Sequence, residues 1–166
     1  MEQYFKQLPE NSKVWVYQSN RELNDSEVQQ IKSLINEFVR QWTSHSRNVI
    51  AAAIVVYKRF IILAADESAF SVSGCSIDSS IHFVKELEQQ FNIGLFDRHT
   101  VAYRGNEKIN AVKQADFQQL IDNGLVNQDT VVFNNLVATV GDLNQNWEVP
   151  LSRSWHARVF KTGAAA

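Results

Sequence analysis

Hydrophobic and polar positions divide the chain into segments of two different periods. Residues 13–19 (KVWVYQS) alternate and are rich in β-branched and aromatic side chains, which predicts a first strand. After that the period changes. Val28, Ile31, Leu34, Ile35, Phe38, Val39 and Trp42 recur at three- and four-residue steps, so they share one face of an amphipathic helix. Asn24 followed by Glu27 supplies a capping box at its start. Two β-rich runs, 49–57 and 60–66, then flank Lys58-Arg59 as a hairpin. Its turn has neither the Gly nor the Asn that a tight primed turn prefers, which leaves the turn type open. The unbroken apolarity of 60–65 predicts a strand covered on both faces, near the middle of its sheet.

A second helix is predicted from Ser76, with Ile77, Ile81, Val84, Leu87 and Phe91 as its buried stripe and Asn92 and Gly94 near its end. Residues 100–104 and 108–112 read as strands joined around Gly105-Asn106. Residues 116–123 read as a short helix stopped by Gly124, and 130–133 as another strand. The order over residues 13–104 is strand, helix, strand, strand, helix, strand. The expected fold is therefore α+β, with a ferredoxin-like split βαβ core extended by C-terminal strands and a short helix. With 166 residues, no repeat and no Pro/Gly-rich linker, the chain is expected to form one domain over residues 1–160, followed by a disordered tail over 161–166.

Composition narrows the function classes. A formal charge of -2 with scattered Lys and Arg gives little basis for holding a phosphate backbone, so no nucleic acid is expected. No apolar run approaches the roughly 20 residues of a membrane span, and residues 1–11 lack the apolar stretch of a secretory signal. The lone Cys75 cannot form an internal disulfide, which suits a reducing cytoplasm. The four histidines are far apart and make no HxH, HxxxH or HExxH pattern; neither a metal nor a cofactor is expected.

Several short stretches, taken together, carry a resemblance: Trp15 to Gln18 with Asn20-Arg21, Phe60 to Leu63 with Asp66-Glu67-Ser68, Ser73 to Asp78, Phe133 to Leu136, Asn146 to Pro150, and Trp155-His156. The chain resembles, over nearly its whole length, a family of small bacterial proteins that are often labelled ABC transporter ATPases. The resemblance brings no catalytic residues with it. An ATPase of that class needs a GxxxxGK[ST] loop, whose amides cradle the phosphates while its Lys and hydroxyl serve the γ-phosphate and Mg²⁺. Of the six glycines, at 74, 94, 105, 124, 141 and 163, no two have that spacing and none is followed by Lys. ABC-type ATPase activity is therefore not expected.

The segment that could carry chemistry is 66–82, where a Ser-rich loop enters a helix N-terminus, whose amides and dipole favour an anion. Ser73, Gly74 and Ser76 are the candidate ligand-binding residues there. Cys75, Asp78 and His82 lie on one stripe and are the candidate catalytic set, with a thiolate, an orienting acid and a base. About 10 Å of helix rise separates Cys75 from His82, which argues against direct proton transfer. A structural reading competes: Ser76 caps the helix, Asp78 and His82 pair on the surface, and Cys75 is a small buried apolar residue. In the C-terminal stretch, Asn134, Asn135, Trp147 and His156 could line a ligand pocket or interface, or simply pack a tail against a sheet. With no catalytic motif, the leading expectation is a non-catalytic intracellular module that binds a protein partner or forms a homo-oligomer. The alternative is a small anion-binding or thiol-dependent enzyme that uses the loop and helix start at 73–78.

Overall fold

A computed structural model describes residues 3–162. The protein is α+β. In chain order its elements are β1 (Lys13–Gln18), α1 (Asp25–Gln41), β2 (Thr43–Ser44), β3 (Arg47–Asn48), β4 (Ile50–Val56), β5 (Phe60–Asp66), α2 (Gly74–Phe91), β6 (Thr100–Arg104), β7 (Ile109–Lys113), α3 (Gln114–Asp122), β8 (Val131–Phe133), α4 (Val140–Asn146), β9 (Glu148–Pro150) and α5 (His156–Val159). The chain forms two compact units. Among the described residues, 3–96 with Leu136–Asn144 make the first, and Asp97–Asn135 with 145–162 make the second.

The first unit is built on an antiparallel sheet of order β1-β5-β4. β5 pairs from Lys13↔Ala65 to Gln18↔Phe60 on one side and from Ile50↔Asp66 to Val56↔Phe60 on the other. Its residues Phe60 to Ala65 all have 0% exposure, as expected for a central strand. Ile61 and Leu63 pack with Val28, Ile31 and Ile35 of α1 and with Val84, Leu87 and Phe91 of α2 in one apolar cluster. Burying each such side chain contributes about 2 kcal/mol.

The ends of both helices are tied by side chains. Asn24 caps α1 and forms the capping box with Glu27. Arg21 grips the two oxygens of Glu27 at 2.8 and 2.9 Å and also donates to the Phe91 carbonyl at 2.8 Å. Together with the Asn24 amide, this holds the Glu27 carboxyl down at about 2. Asn20 exchanges two 2.9 Å bonds with Gly94, so Asn20-Arg21 fastens the start of α1 to the end of α2. Asn92 ends α2 in the left-handed conformation, with φ 51°.

Only three strands of the split βαβ pattern lie in this sheet. The strand expected to complete it, Thr100–Arg104, pairs with β7 and β8 in a second, four-stranded sheet of order β7-β6-β8-β9, so the ferredoxin-like arrangement is not confirmed. The outer edge of β1 is instead occupied by a returning segment. Val14 donates to the Ala138 carbonyl at 3.0 Å, and Val140 donates to the Ser12 carbonyl at 2.9 Å. In the second unit Phe117, Val132 and Leu151, each with 0% exposure, centre a separate core with Val101, Ile121 and Phe160. Of the tail expected to be disordered, Lys161 exchanges bonds with the Gln118 side chain and Thr162 bonds Gln128, while 163–166 lie outside the described residues.

Both tight turns of the first unit are of the primed kind, without glycine. Tyr57 and Lys58 have φ 55° and 53°, and the Arg59 amide closes the turn on the Val56 carbonyl at 3.1 Å. Lys58 is held there by Asp25 at 2.7 Å and by the Leu23 amide, which donates to its carbonyl at 2.7 Å. His45 and Ser46, with φ 52° and 65°, join β2 to β3 in the same way. Left-handed backbone costs a non-glycine residue roughly 1 kcal/mol. Ser46→Gly is therefore expected to raise stability by about 0.5–1 kcal/mol, seen as a higher urea midpoint with an unchanged m-value.

Candidate functional site

The start of α2 is organised by serine hydroxyls. Ser73, in extended backbone at φ -68° and ψ 161°, accepts the Ser76 amide at 3.2 Å and is the N-cap. The helix thus begins at Gly74, not at Ser76, because Ser73 leaves the helix and Ser76 is already inside its first turn. Ser76 Oγ donates to the Thr43 carbonyl at 2.5 Å and lies 2.8 Å from Ser73 Oγ, whose proton it therefore accepts. Trp42 Nε1 donates to the Ser76 carbonyl at 2.8 Å, and the Ser73 amide donates to Ser44 Oγ at 3.0 Å. These bonds fasten the β2–β3 hairpin to the helix start. They also use both hydroxyl protons of Ser73 and Ser76.

The amides of Gly74 and Cys75, the first two of the helix, find no acceptor among the described residues. Both residues line a surface depression of about 900 Å³. Its polar lining is Thr43, His45, Ser79 and Gln41 with the helix start, and Phe38 and Trp42 provide apolar wall. No carboxylate lines it, and the first turn of α2 contains no acid. Such a place can take an anion: two unspent N–H donors, the positive end of an 18-residue helix and neighbouring hydroxyls, with no negative charge in the wall.

Cys75 is exposed, which overturns the burial that the structural reading gave it; the small buried residues on α2 are Ser76 and Ser80. Ile77 and Ile81 of the expected stripe are only half-buried, since serines let α2 lie closely under Trp42 at this end. Asp78 and His82 are exposed on the same helix, outside the lining of the depression. His82 pairs with Glu86 at 3.3 Å, one turn further on, where Asp78 had been expected as its partner. The imidazole that shares the depression with Cys75 is His45. Sequence reasoning missed it, as it missed Thr43 and Gln41, because the end of α1 and the hairpin that bring them lie some thirty residues upstream. The polar run TSHSRN between a helix and a strand was the only trace of it.

The other candidates belong to the second unit. Trp147, with 1% exposure, donates its indole N–H to Asn135 Oδ1 at 2.9 Å and packs edge-on against Phe133. The Asn134 amide donates to the Trp147 carbonyl at 2.7 Å. His156 has 1% exposure, bonds Ser154 Oγ at 2.7 Å through Nδ1 and stacks on Trp155 with ring centroids 3.8 Å apart. The asparagines and Trp147 are thus brought together, and His156 lies in a separate aromatic group with Phe117 and Phe160. No cluster of His, Cys, Asp or Glu fit to hold a metal occurs among the described residues, and no described helix is long and apolar enough to cross a membrane.

Comparison with protein-family models, with curated proteins and with solved structures finds no match for this chain.

Burial pushes the His156 imidazole down to about 4, from 6.5 when solvated. As pH falls through that window the unfolded chain takes up a proton that the folded chain refuses. This contribution to stability is therefore complete above pH 6.5 and is lost on the way down to about 4. Chemical denaturation across that range should show the slope in the native sequence and a flatter profile in His156→Phe.

Proposed function

We propose that this chain is a non-catalytic intracellular module that binds a small anion, a carboxylate or a phosphate, at the start of α2. The observation that carries the reading is the pair of unpartnered amides, Gly74 and Cys75, in a depression whose lining has no carboxylate. Ser73 and Ser76 then serve as the frame, holding the helix start and the hairpin in register, and Thr43, Ser79 and His45 are the side chains within the same depression. The three-stranded sheet with α1 and α2 reads as a ferredoxin-like core whose fourth position is taken by the returning segment at 138–140. The resemblance to the small bacterial family is proposed as the chain's kinship, with binding and not ATP hydrolysis as its activity.

Proline at the first helical position removes an amide donor while leaving the helix intact, since its fixed φ suits that position and its missing N–H has no helical partner. Gly74 occupies that position, a Cβ added there meets nothing within 4 Å, and Ser73 already has the extended backbone that a following proline requires. Titration with inorganic phosphate and with acetate, followed by amide NMR, should therefore move the Gly74 and Cys75 resonances in the native chain. Gly74→Pro should weaken binding about tenfold, the value of one hydrogen bond to a charged group, with thermal stability retained. If Gly74→Pro binds as the native chain does, or if the perturbed amides lie elsewhere, the reading fails.

The exposure of Cys75 in a depression that His45 also lines favours a second reading, a thiol-dependent enzyme in the same place. Cys75→Ser separates the two. A binding module keeps its anion affinity, whereas a thiol enzyme keeps the affinity and loses turnover. In either case an exposed thiol should react with a thiol reagent in the native state as readily as after unfolding.

A further inference from the structure

The first sheet has two edges, and the chain treats them differently. At β1 the segment returning through Ala138 and Val140 hydrogen-bonds Val14 and Ser12 and occupies the edge. At β4 no strand among the described residues pairs with the outer side. β4 is the strand Ile50–Val56, IAAAIVV, seven residues without a charge or a proline. It pairs with β5 without a slip from Ile50↔Asp66 to Val56↔Phe60, so no bulge twists its edge away. Natural edge strands usually carry a charge, a proline or a bulge that prevents pairing with another chain. Here all three are missing. Ile50 is 54% exposed, and Ala52, Ile54 and Val55 are half-buried, so the strand also leaves apolar side chains unfinished.

We propose that the outer edge of β4 pairs with β4 of a second copy, antiparallel about a two-fold axis at Ala53, to make a continuous six-stranded sheet. The occupant follows from self-complementarity, because a two-fold interface sets one patch against itself. Centred on Ala53, the register places Ile50 opposite Val56 of the second copy, Ala51 opposite Val55 and Ala52 opposite Ile54. In the inner two pairs a small residue faces a branched one, and in none does a charge face the strand. Moving the axis by one residue toward the C-terminus sets Ile50 opposite Lys58, a residue already paired with Asp25 at 2.7 Å. Moving it one residue the other way sets Val56 opposite Asn48, so only the register centred on Ala53 pairs all seven residues of the strand with apolar residues. This association is independent of any anion at the start of α2.

Light scattering across a wide range of concentration should give twice the mass of one chain, falling to one at high dilution. Ile54→Lys, near the centre of the pairing, should abolish the dimer. Ile50→Lys should weaken it while leaving the fold unchanged, because that side chain is more than half exposed. A nitroxide on Ile50→Cys in a Cys75→Ser background should report two labels whose Cα atoms lie about 20 Å apart, the diagonal of six residues along the strand and one strand spacing across it. A chain that stays monomeric at every concentration overturns the proposal. So does a dimer that survives both lysine variants, or one whose label separation is far from that value.

Discussion

Phe60 to Ala65 have no solvent exposure on either face, and the rest of the first unit follows from covering them. A strand in that position needs a hydrogen-bonded neighbour on each side, which β1 and β4 supply over its full length, and an apolar layer against each face. The layer described by Ile61 and Leu63 is made by two helices, so α1 and α2 must lie side by side with their apolar stripes turned the same way. Asn20 and Arg21 then make sense as more than loop residues. By bonding Gly94, Phe91 and Glu27 they fix the end of one helix to the start of the other, where an error of one residue would misalign both stripes.

The opposite ends of the same helices meet a different constraint. Trp42 follows α1 and is 2% exposed, so its indole N–H must be satisfied away from water. It reaches the Ser76 carbonyl, which requires a small residue at that point of α2. Ser76 is small and in turn finds an acceptor in Thr43. One buried indole thus explains why the polar residues cluster here and why the expected stripe of Ile77 and Ile81 turns partly outward. The β2–β3 hairpin holds two residues, His45 and Ser46, in left-handed backbone because its strands are fastened to the helix start on one side and continue into β4 on the other.

How much of this could be read from the sequence depended on how far the information travels along the chain. The capping box at Asn24, the central position of residues 60–65 and the αL end at Asn92 are local signals, and each appears where its residues place it. Three things were not local. The sequence placed the cap at Ser76, whereas the Ser44 hydroxyl and the Thr43 carbonyl, from another segment, hold Ser73 as the cap and Ser76 inside the first turn. Cys75 follows from those contacts: they bury Ser76, and the thiol one residue before it is left at the surface. The destination of Thr100–Arg104 was hidden because a strand pattern specifies a strand and not its partner, and the edge it was expected to fill is taken by residues from the far end of the chain.

Gly74 is the residue that fold considerations explain least, and this bears on the site. A glycine costs about 1 kcal/mol relative to alanine in a helix interior and less at its first position, so its presence usually reflects a positive φ or a close neighbour. Gly124 shows the first case, with φ 74°, and Gly105 the second, since a Cβ there would overlap the Asn110 side chain. Gly74 shows neither: its φ is not positive and an added Cβ would stand in open space. Neither conformation nor packing asks for glycine at the first position of α2. What glycine does provide there is an amide with no side chain beside it, next to a second unpartnered amide at Cys75 and at the positive end of an 18-residue helix. The residue that contributes least to the helix is thus the one that leaves its N-terminus most open to a ligand.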